Sequence, residues 1–200
     1  MTVQLKHINF QVLVEALKGE TECGDDYLVK ELDNHTLLVV VDGLGHGREA
    51  AFAAKKAIET VKLNAHQPIE ILFKLCNEAL SMTRGAAMTI VTIDSDQTIT
   101  YKAVGNVAGV YWHIEERAKL RQHSFLLDSG IVGSNSPTHI SAKKINLTSG
   151  DIIILATDGI KAQFENTVPR WDTPDKIAHH MFTTYRNNND DGLVLVVQLI

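Results

Sequence analysis

The sequence predicts an α+β fold whose strands pair antiparallel. Three observations lead to this prediction: short β-branched runs recur between turn residues, two helical stretches follow one another in the middle, and a third helix precedes the last strand. A parallel sheet would require strands and helices to alternate along the whole chain. Runs of strands interrupted by paired helices are instead typical of antiparallel α+β domains.

The strands are predicted where aliphatic and β-branched residues form short runs bounded by Gly, Asn, Asp or Ser. Turn pairs such as Gly105-Asn106 and Gly150-Asp151 separate them. The predicted strands cover residues 7–17, 27–31, 36–42, 87–94, 98–104, 107–113, 139–146, 151–157 and 193–199.

Three helices are predicted from apolar spacing and from proline. Residues 47–64 place Ala50, Ala54 and Val61 near one face at helical spacing. A second helix begins after Pro68, because a proline is well tolerated where a helix starts. A third follows Thr173-Pro174 and extends to about residue 185.

The composition indicates one folded domain that spans residues 1–200. Of the 200 residues, 44% are hydrophobic and 22% charged, and the net charge of -5 disfavours nucleic acid, which requires a concentrated basic surface. No apolar run is long enough to cross a membrane, and the first residues lack a signal-peptide pattern. The two cysteines have no metal-ligand spacing, which favours reduced thiols. We therefore expect a cytoplasmic domain with no nucleic-acid or membrane partner.

Acidic residues stand where predicted strands meet loops. They are Asp25 and Asp26 before one strand, Asp42 and Asp158 at the ends of two others, and Asp190 and Asp191 before the last. Any one of them alone is most simply a turn former. Together they predict a carboxylate cluster, because the ends of distant strands often meet at one rim. Such a cluster requires cations to stay ionised, and oxygen ligands favour Mg²⁺ or Mn²⁺.

The segment VVVDGLGHGREAA passes from a strand through a glycine loop into a helix, which raises a nucleotide-binding alternative. The dinucleotide fingerprint G-x-G-x-x-G fails here, because Arg48 and Ala50 occupy the positions of its third glycine in the two possible registers. A second helix also follows the first where a parallel strand would be required. The start of the helix could still help to hold an anion such as phosphate.

The ordered motifs VVVDGLGHG, LATDGI and DDGLVLVVQ resemble the metal-binding motifs of the protein phosphatase 2C (PPM) family. GDDYLVK resembles that family's first acidic motif, and RGAAMTIVTID and YKAVGNVAGVYW match its connecting segments. The likeness extends over roughly residues 5–200, and D-x-x-G-H-G in the glycine loop is typical of the bacterial SpoIIE-like branch. The fold that it implies is an α/β/β/α sandwich of two antiparallel sheets flanked by helices.

The resemblance also implies roles for individual residues. Asp42 would bridge two divalent cations, Mn²⁺ or Mg²⁺, with the Gly43 carbonyl as a further ligand, and Asp158 and Asp190 would hold the first cation. Asp25 would ligate or orient at the rim. Asp191 stands where the family often has asparagine or aspartate and is a further candidate metal ligand. A metal-activated water would then attack the phosphorus of a phosphoserine or phosphothreonine, with no phospho-enzyme intermediate.

The chain departs from the family pattern at several positions. Gly24 stands where many members have a glutamate, and Leu193 stands where many have a threonine. The phosphate-binding arginine of eukaryotic members has no match. His46, in the glycine loop, is a candidate proton donor because imidazole titrates near neutral pH. A turn histidine without a catalytic role is the simpler interpretation.

Within its branch the chain is most similar to small stand-alone phosphatases that reset the stressosome. The resemblance therefore implies a phosphorylated STAS-domain protein of a stress-signalling complex as substrate and partner, and a negative regulator of the general stress response. One alternative is a phosphatase-like docking module that binds a signalling partner without turnover. Another is a metal phosphohydrolase that acts on small molecules.

Overall fold

The computed structural model describes residues 1–115, 119–134, 136–137, 141–166 and 173–200. Within them, two antiparallel sheets pack face to face and helices cover both outer faces. The strands are β1 (Val3–Gln4), β2 (Ile8–Glu15), β3 (Asp25–Glu31), β4 (His35–Gly43), β5 (Ala86–Asp94), β6 (Thr98–Val104), β7 (Ala108–Glu115), β8 (Lys119–Ser124), β9 (Leu127–Asp128), β10 (Lys143–Asn146), β11 (Ile152–Ala156) and β12 (Gly192–Leu199). The helices are α1 (Arg48–Leu63), α2 (Ile69–Leu80) and α3 (Pro174–Tyr185), and a 3-10 turn covers Ala162–Asn166.

The strand order defines two sheets. One runs β1-β2-β12-β11-β7-β8, and the other runs β10-β6-β5-β4-β3, with the short β9 pairing parallel to β6. All other pairings are antiparallel. Sequence neighbours such as β3 and β4 pair directly, whereas β2 and β12 bring the two ends of the chain together.

The strands form a layered core because their side chains alternate between faces. In β4, Leu38 and Val40 point between the sheets, whereas Leu37, Val39 and Val41 pack under α1 and α2. β12 alternates in the same way between the inner core and the layer beneath α3. Strands buried on both faces have unbroken aliphatic sequences, and the predicted bounds of β4, β11 and β12 lie within one residue of the observed ones.

The α/β/β/α sandwich is confirmed, as are the three helices and most strands. The prediction for residues 139–146 is corrected: the strand begins at Lys143, residues 141 and 142 are not in a strand, and 139–140 lie outside the described residues. The sequence did not predict β1, β8, β9 or the 3-10 turn. No helix in the described part of the chain is both long and apolar enough to cross a membrane.

Candidate active site

Four of the predicted acidic residues, Asp25, Asp42, Asp158 and Asp190, gather at one end of the sandwich, between the two sheets. Asp26 does not join them, because it lies on the opposite face of β3, near Lys55. Asp25 and Asp42 face each other across the β3·β4 pairing. Strand alternation places them on the same face as Tyr27 and Val40, which pack into the core between the sheets. Asp25 is the first residue of β3, which begins two residues earlier than the predicted strand. Both carboxyls therefore stand at the inner edge of one sheet.

The other sheet contributes the end of β11 and the start of β12. These strands pair antiparallel with Ala156 opposite Val194, so the chain leaves β11 beside the point where it enters β12. Asp158 and Asp190 therefore belong to adjacent loops at the same rim. Thr157 joins the two sheets here: its hydroxyl donates to Asp25 Oδ2 at 2.7 Å and accepts the N–H of Leu193 at 2.9 Å.

Burial and mutual repulsion dominate the electrostatics of this rim. Burial, reinforced by the negative charges of the neighbouring aspartates, raises the pKa of Asp42 to about 8. Burial also raises the pKa of Asp25 to about 7, against the hydrogen bond from Thr157, which lowers it. Partial burial and the charge of Asp190 raise the pKa of Asp158. The rim thus concentrates negative charge that a cation would offset.

Asp191 is set apart from the other aspartates by its hydrogen bonds. It is 3% exposed, and its two carboxylate oxygens accept the backbone N–H groups of Leu17 at 2.7 Å and Gly24 at 2.8 Å. A Cβ on Gly24 would lie 2.7 Å from Asp191 Oδ2 and 2.8 Å from the Ala50 side chain. The glycine in place of the family's glutamate is therefore required by the way Asp191 ties the 16–24 loop to β12.

Asn106 belongs to the site, although the sequence indicated only a turn at this position. Its Nδ2 donates to Asp158 Oδ2 at 2.7 Å, and the same amide lowers the pKa of both Asp42 and Asp158 against their burial. Gly105 beside it has φ +90°, and a Cβ there would lie 2.5 Å from the Ala87 side chain. This tight β6–β7 turn positions the amide between the acidic residues of the two sheets.

Arg186 is the second residue that the sequence did not identify. Its guanidinium donates to five backbone carbonyls: those of Asp190 at 2.6 Å, Gly159 at 3.2 Å, Glu15 at 3.3 Å and Asp191 at 3.4 Å, and that of Asn187. Its side chain is 10% exposed and lies over the Phe182 ring. The segment 187–191, which leads into β12, is thus shaped around one arginine.

The glycine loop after Asp42 packs closely against the start of α1. A Cβ on Gly43 would lie 2.1 Å from the Ala50 carbonyl oxygen, so only glycine fits there. His46 is about half exposed, and its Nδ1 lies 2.7 Å from Glu20 Oε1. Glu20 comes from the loop before β3, and nothing in the sequence pairs it with the glycine loop.

The donor set fits a divalent cation by its chemistry. Every side-chain candidate offers carboxylate oxygen, which suits Mg²⁺ or Mn²⁺. The pKa values of Asp25 and Asp42 are raised by burial first and by the neighbouring aspartates second, and a cation would offset both effects. Among the described residues, no three His, Cys, Asp or Glu side chains are already grouped around one ion. Asp25 and Asp158 instead accept hydrogen bonds from Thr157 and Asn106. Ligation would therefore accompany a local rearrangement of these carboxyls.

The sandwich and its acidic rim define the class of the protein, a phosphatase domain of the PP2C type. The chain belongs to the SpoIIE family: residues 32–199 match the family model for stage II sporulation protein E. Over 198 residues it is 26% identical to the phosphoserine phosphatase RsbX of Bacillus subtilis (strain 168). This match covers 97% of this chain and 96% of RsbX.

Two solved structures share the fold over nearly the whole chain. A crystal structure of RsbX in complex with magnesium has a TM-score of 0.89 at 24% identity, and the match covers 100% of this chain and 99% of the RsbX chain. A chain from work on the bacterial stressosome has a TM-score of 0.85 at 28% identity, and the match covers 96% of this chain and 99% of that chain. The predicted likeness to the PP2C family, its SpoIIE-like branch and RsbX is confirmed.

Proposed function

We propose that this chain is a metal-dependent protein-serine/threonine phosphatase that hydrolyses a phosphoserine or phosphothreonine. The observation that carries the proposal is the meeting of Asp25 and Asp42 from one sheet with Asp158 and Asp190 from the other. The burial and crowding that raise the pKa values of Asp25 and Asp42 favour a bound cation over free carboxylates. The family and the 26% identity to a phosphoserine phosphatase support the same reaction.

In this proposal Asp42 and the Gly43 carbonyl, with Asp158 and Asp190, hold two divalent cations, Mn²⁺ or Mg²⁺. Such cations, when bound, lower the pKa of water and offset the charge of the phosphoryl oxygens. Asp25 orients the rim through Thr157, and Asp191 holds the 16–24 loop instead of acting as a main ligand. Asn106 orients the Asp158 carboxylate toward the centre.

His46 is the proposed proton donor to the leaving hydroxyl. Glu20 lies at Nδ1, which fixes the ring and leaves Nε2 as the atom that delivers the proton. The contact with Glu20 supports this role for His46.

We further propose that the substrate is a phosphorylated STAS-domain component of a stressosome, which the chain dephosphorylates to reset general stress signalling. Support comes from two relatives, the phosphoserine phosphatase RsbX and the chain from work on the bacterial stressosome. The proposed location is the cytoplasm, since both cysteines are free thiols. Neither nucleic acid nor membrane is a proposed partner, and residues 1–200 form the one proposed domain.

The test is hydrolysis of para-nitrophenyl phosphate with Mn²⁺, with Mg²⁺ or with EDTA. We expect activity that requires metal and falls by about 100-fold or more in Asp158→Asn, because the loss of a metal ligand removes charge stabilisation from the transition state. Asp96→Asn, in an exposed turn, is the matched control and keeps full activity. Circular dichroism checks that each variant is folded. A folded wild type that is inactive with every metal would instead support the docking module.

A further inference from the structure

A groove lies beside the glycine loop, between the start of α1 and the turn that joins α2 to β5. Its volume is ≈ 560 Å³, and it is lined by Arg48, Glu49, Phe52, Met82, Thr83 and Arg84. None of these residues takes part in the proposed metal centre. The groove is open to solvent, and the two sides of its lining differ in chemistry.

The apolar part of the groove consists of two large side chains that solvent reaches. Phe52 is 57% exposed and Met82 is 91% exposed. Phe52 stands on the outer face of α1 among charged neighbours, with the Lys56 ammonium 5.8 Å from its ring. Single exposed apolar residues are common, but two large ones that line the same groove are typical of a surface that binds a partner.

The charged part of the groove is net positive, in a chain whose net charge is -5. Arg84 pairs with Glu49 at 2.5 Å. Arg48 interacts electrostatically with Glu22 but forms no hydrogen bond or ion pair with any residue that the structure describes, and its side chain lines the groove. An anionic segment with an apolar side chain would therefore complement both parts of the groove.

The groove lies within reach of the metal centre. A Cβ on Gly45 would lie 2.9 Å from Arg84 Nη1, so this arginine borders the glycine loop. Gly45 is three residues after Asp42, so their Cα atoms are at most about 11 Å apart. An extended peptide covers about 3.3 Å per residue, so the groove can meet a side chain roughly three to five residues from a phosphate at Asp42.

We propose that this groove docks the segment of the substrate protein that flanks the phosphorylated residue. An apolar side chain of that segment packs between Phe52 and Met82, and an acidic side chain lies against Arg48. The inference rests on the proposed phosphatase function. It identifies the groove as the surface by which the phosphatase selects its phosphoprotein substrate.

The test uses a phosphoserine peptide library with five randomised positions on each side, together with para-nitrophenyl phosphate. We expect the wild type to prefer an apolar residue three to five positions from the phosphoserine. The ratio of kcat/KM for preferred peptides to kcat/KM for para-nitrophenyl phosphate falls about tenfold in the Phe52→Ala/Met82→Ala double variant. Leu63→Ala is the matched control, since Leu63 is 83% exposed at the far end of the same helix.

A charge variant and a binding assay complete the design. Arg48→Glu is expected to reverse the preference for acidic flanking residues, more strongly at low salt than at high salt. Peptide binding in EDTA, measured by fluorescence polarisation, does not depend on turnover. Groove-dependent binding without any hydrolysis would overturn the phosphatase proposal alone. The docking proposal alone would be overturned if the wild type hydrolysed the peptides without any preference for flanking residues. It would also be overturned if the double variant kept the wild-type preference or changed only in oligomeric state.

Discussion

At the scale of the residue, Arg186 shows how one side chain can shape a loop that bears a candidate ligand. Its planar guanidinium directs donors toward carbonyls on both sides of Asp190, a geometry that the single ammonium of lysine cannot reproduce. We expect Arg186→Lys to lower the free energy of unfolding by about 2 kcal/mol, because several charge-assisted hydrogen bonds are lost together. Urea unfolding measures this loss, and calorimetric titration with Mn²⁺ should show weaker binding in the same variant.

The control for this prediction is Arg48→Lys, a replacement at an exposed position at the start of α1. An exposed arginine without an ion pair among the described residues should tolerate lysine within about 0.5 kcal/mol. Equal stability of the two variants would show that the five carbonyls do not need the guanidinium fork.

The residues of the site differ in how far the sequence reveals them. Asp25, Asp42, Asp158 and Asp190 could be predicted because each stands where a predicted strand meets a loop. Asn106 and Arg186 could not, since each acts through a hydrogen bond to a residue or backbone group brought close only by the fold. Asn106 contacts Asp158, 52 positions away, and turn statistics already account for an asparagine after a glycine.

At the scale of the element, strands that contain a run of aliphatic or β-branched residues could be predicted, whereas very short strands and an exposed edge strand could not. β4, β11 and β12 are buried throughout or nearly so and show unbroken aliphatic runs. β8 is an edge strand whose residues 121–124 are exposed, so its sequence has no apolar alternation to recognise. β1 and β9 contain two residues each, too few for any periodic signal.

The junction of β11 with β12 depends on the absence of a side chain at position 159. A Cβ on Gly159 would lie 1.6 Å from the Asp191 carbonyl oxygen and 2.8 Å from Gly192 Cα. Gly159→Ala must therefore separate the two strand ends that carry Asp158 and Asp190. We expect a loss of about 3 kcal/mol in the free energy of unfolding, as for a severely overpacked site, with weaker Mn²⁺ binding.

Gly19→Ala separates this steric effect from backbone strain. Gly19 has φ +102°, and a Cβ on it would have no heavy atom within 4 Å, so its replacement introduces strain without a clash. The expected loss there is about 1 kcal/mol, without a change in metal affinity. Urea unfolding measures both losses. If Gly159→Ala lowers the free energy of unfolding by no more than Gly19→Ala does, the strand ends at this junction do not approach as closely as described.

At the scale of the whole molecule, the acidic rim opposes the stability that the layered core provides. The two sheets and their helices bury most of the aliphatic residues, whereas the same packing desolvates Asp25 and Asp42. A fold of this kind gains stability from bound metal in proportion to the repulsion that the metal relieves. The sandwich and its candidate metal site are thus thermodynamically coupled, and pH is the variable that reveals the coupling.

The metal-free protein should become less stable as the pH rises. Asp42 and Asp25 have ordinary pKa values of 3.8 in the unfolded chain but about 8 and about 7 in the folded one. Between these limits the folded state binds more protons than the unfolded state, so the free energy of unfolding falls from about pH 4 to pH 8. We expect the Tm in EDTA to drop by roughly 5 °C between pH 5.5 and pH 8, which corresponds to a loss on the order of 2 kcal/mol.

Metal should reverse this trend, because Mn²⁺ must displace the protons that the rim retains at low pH. The rise in Tm on addition of Mn²⁺ is therefore expected to be larger at pH 8 than at pH 5.5. Asp42→Asn should flatten the pH dependence in EDTA and reduce the response to Mn²⁺, whereas Asp33→Asn in the exposed β3–β4 turn should change neither. Since other groups also titrate in this range, the decisive quantity is the difference between wild type and Asp42→Asn. Identical pH profiles for the two would mean that neither burial nor the neighbouring aspartates raise the pKa of Asp42 in the folded protein, and the electrostatic argument for a cation there would be lost.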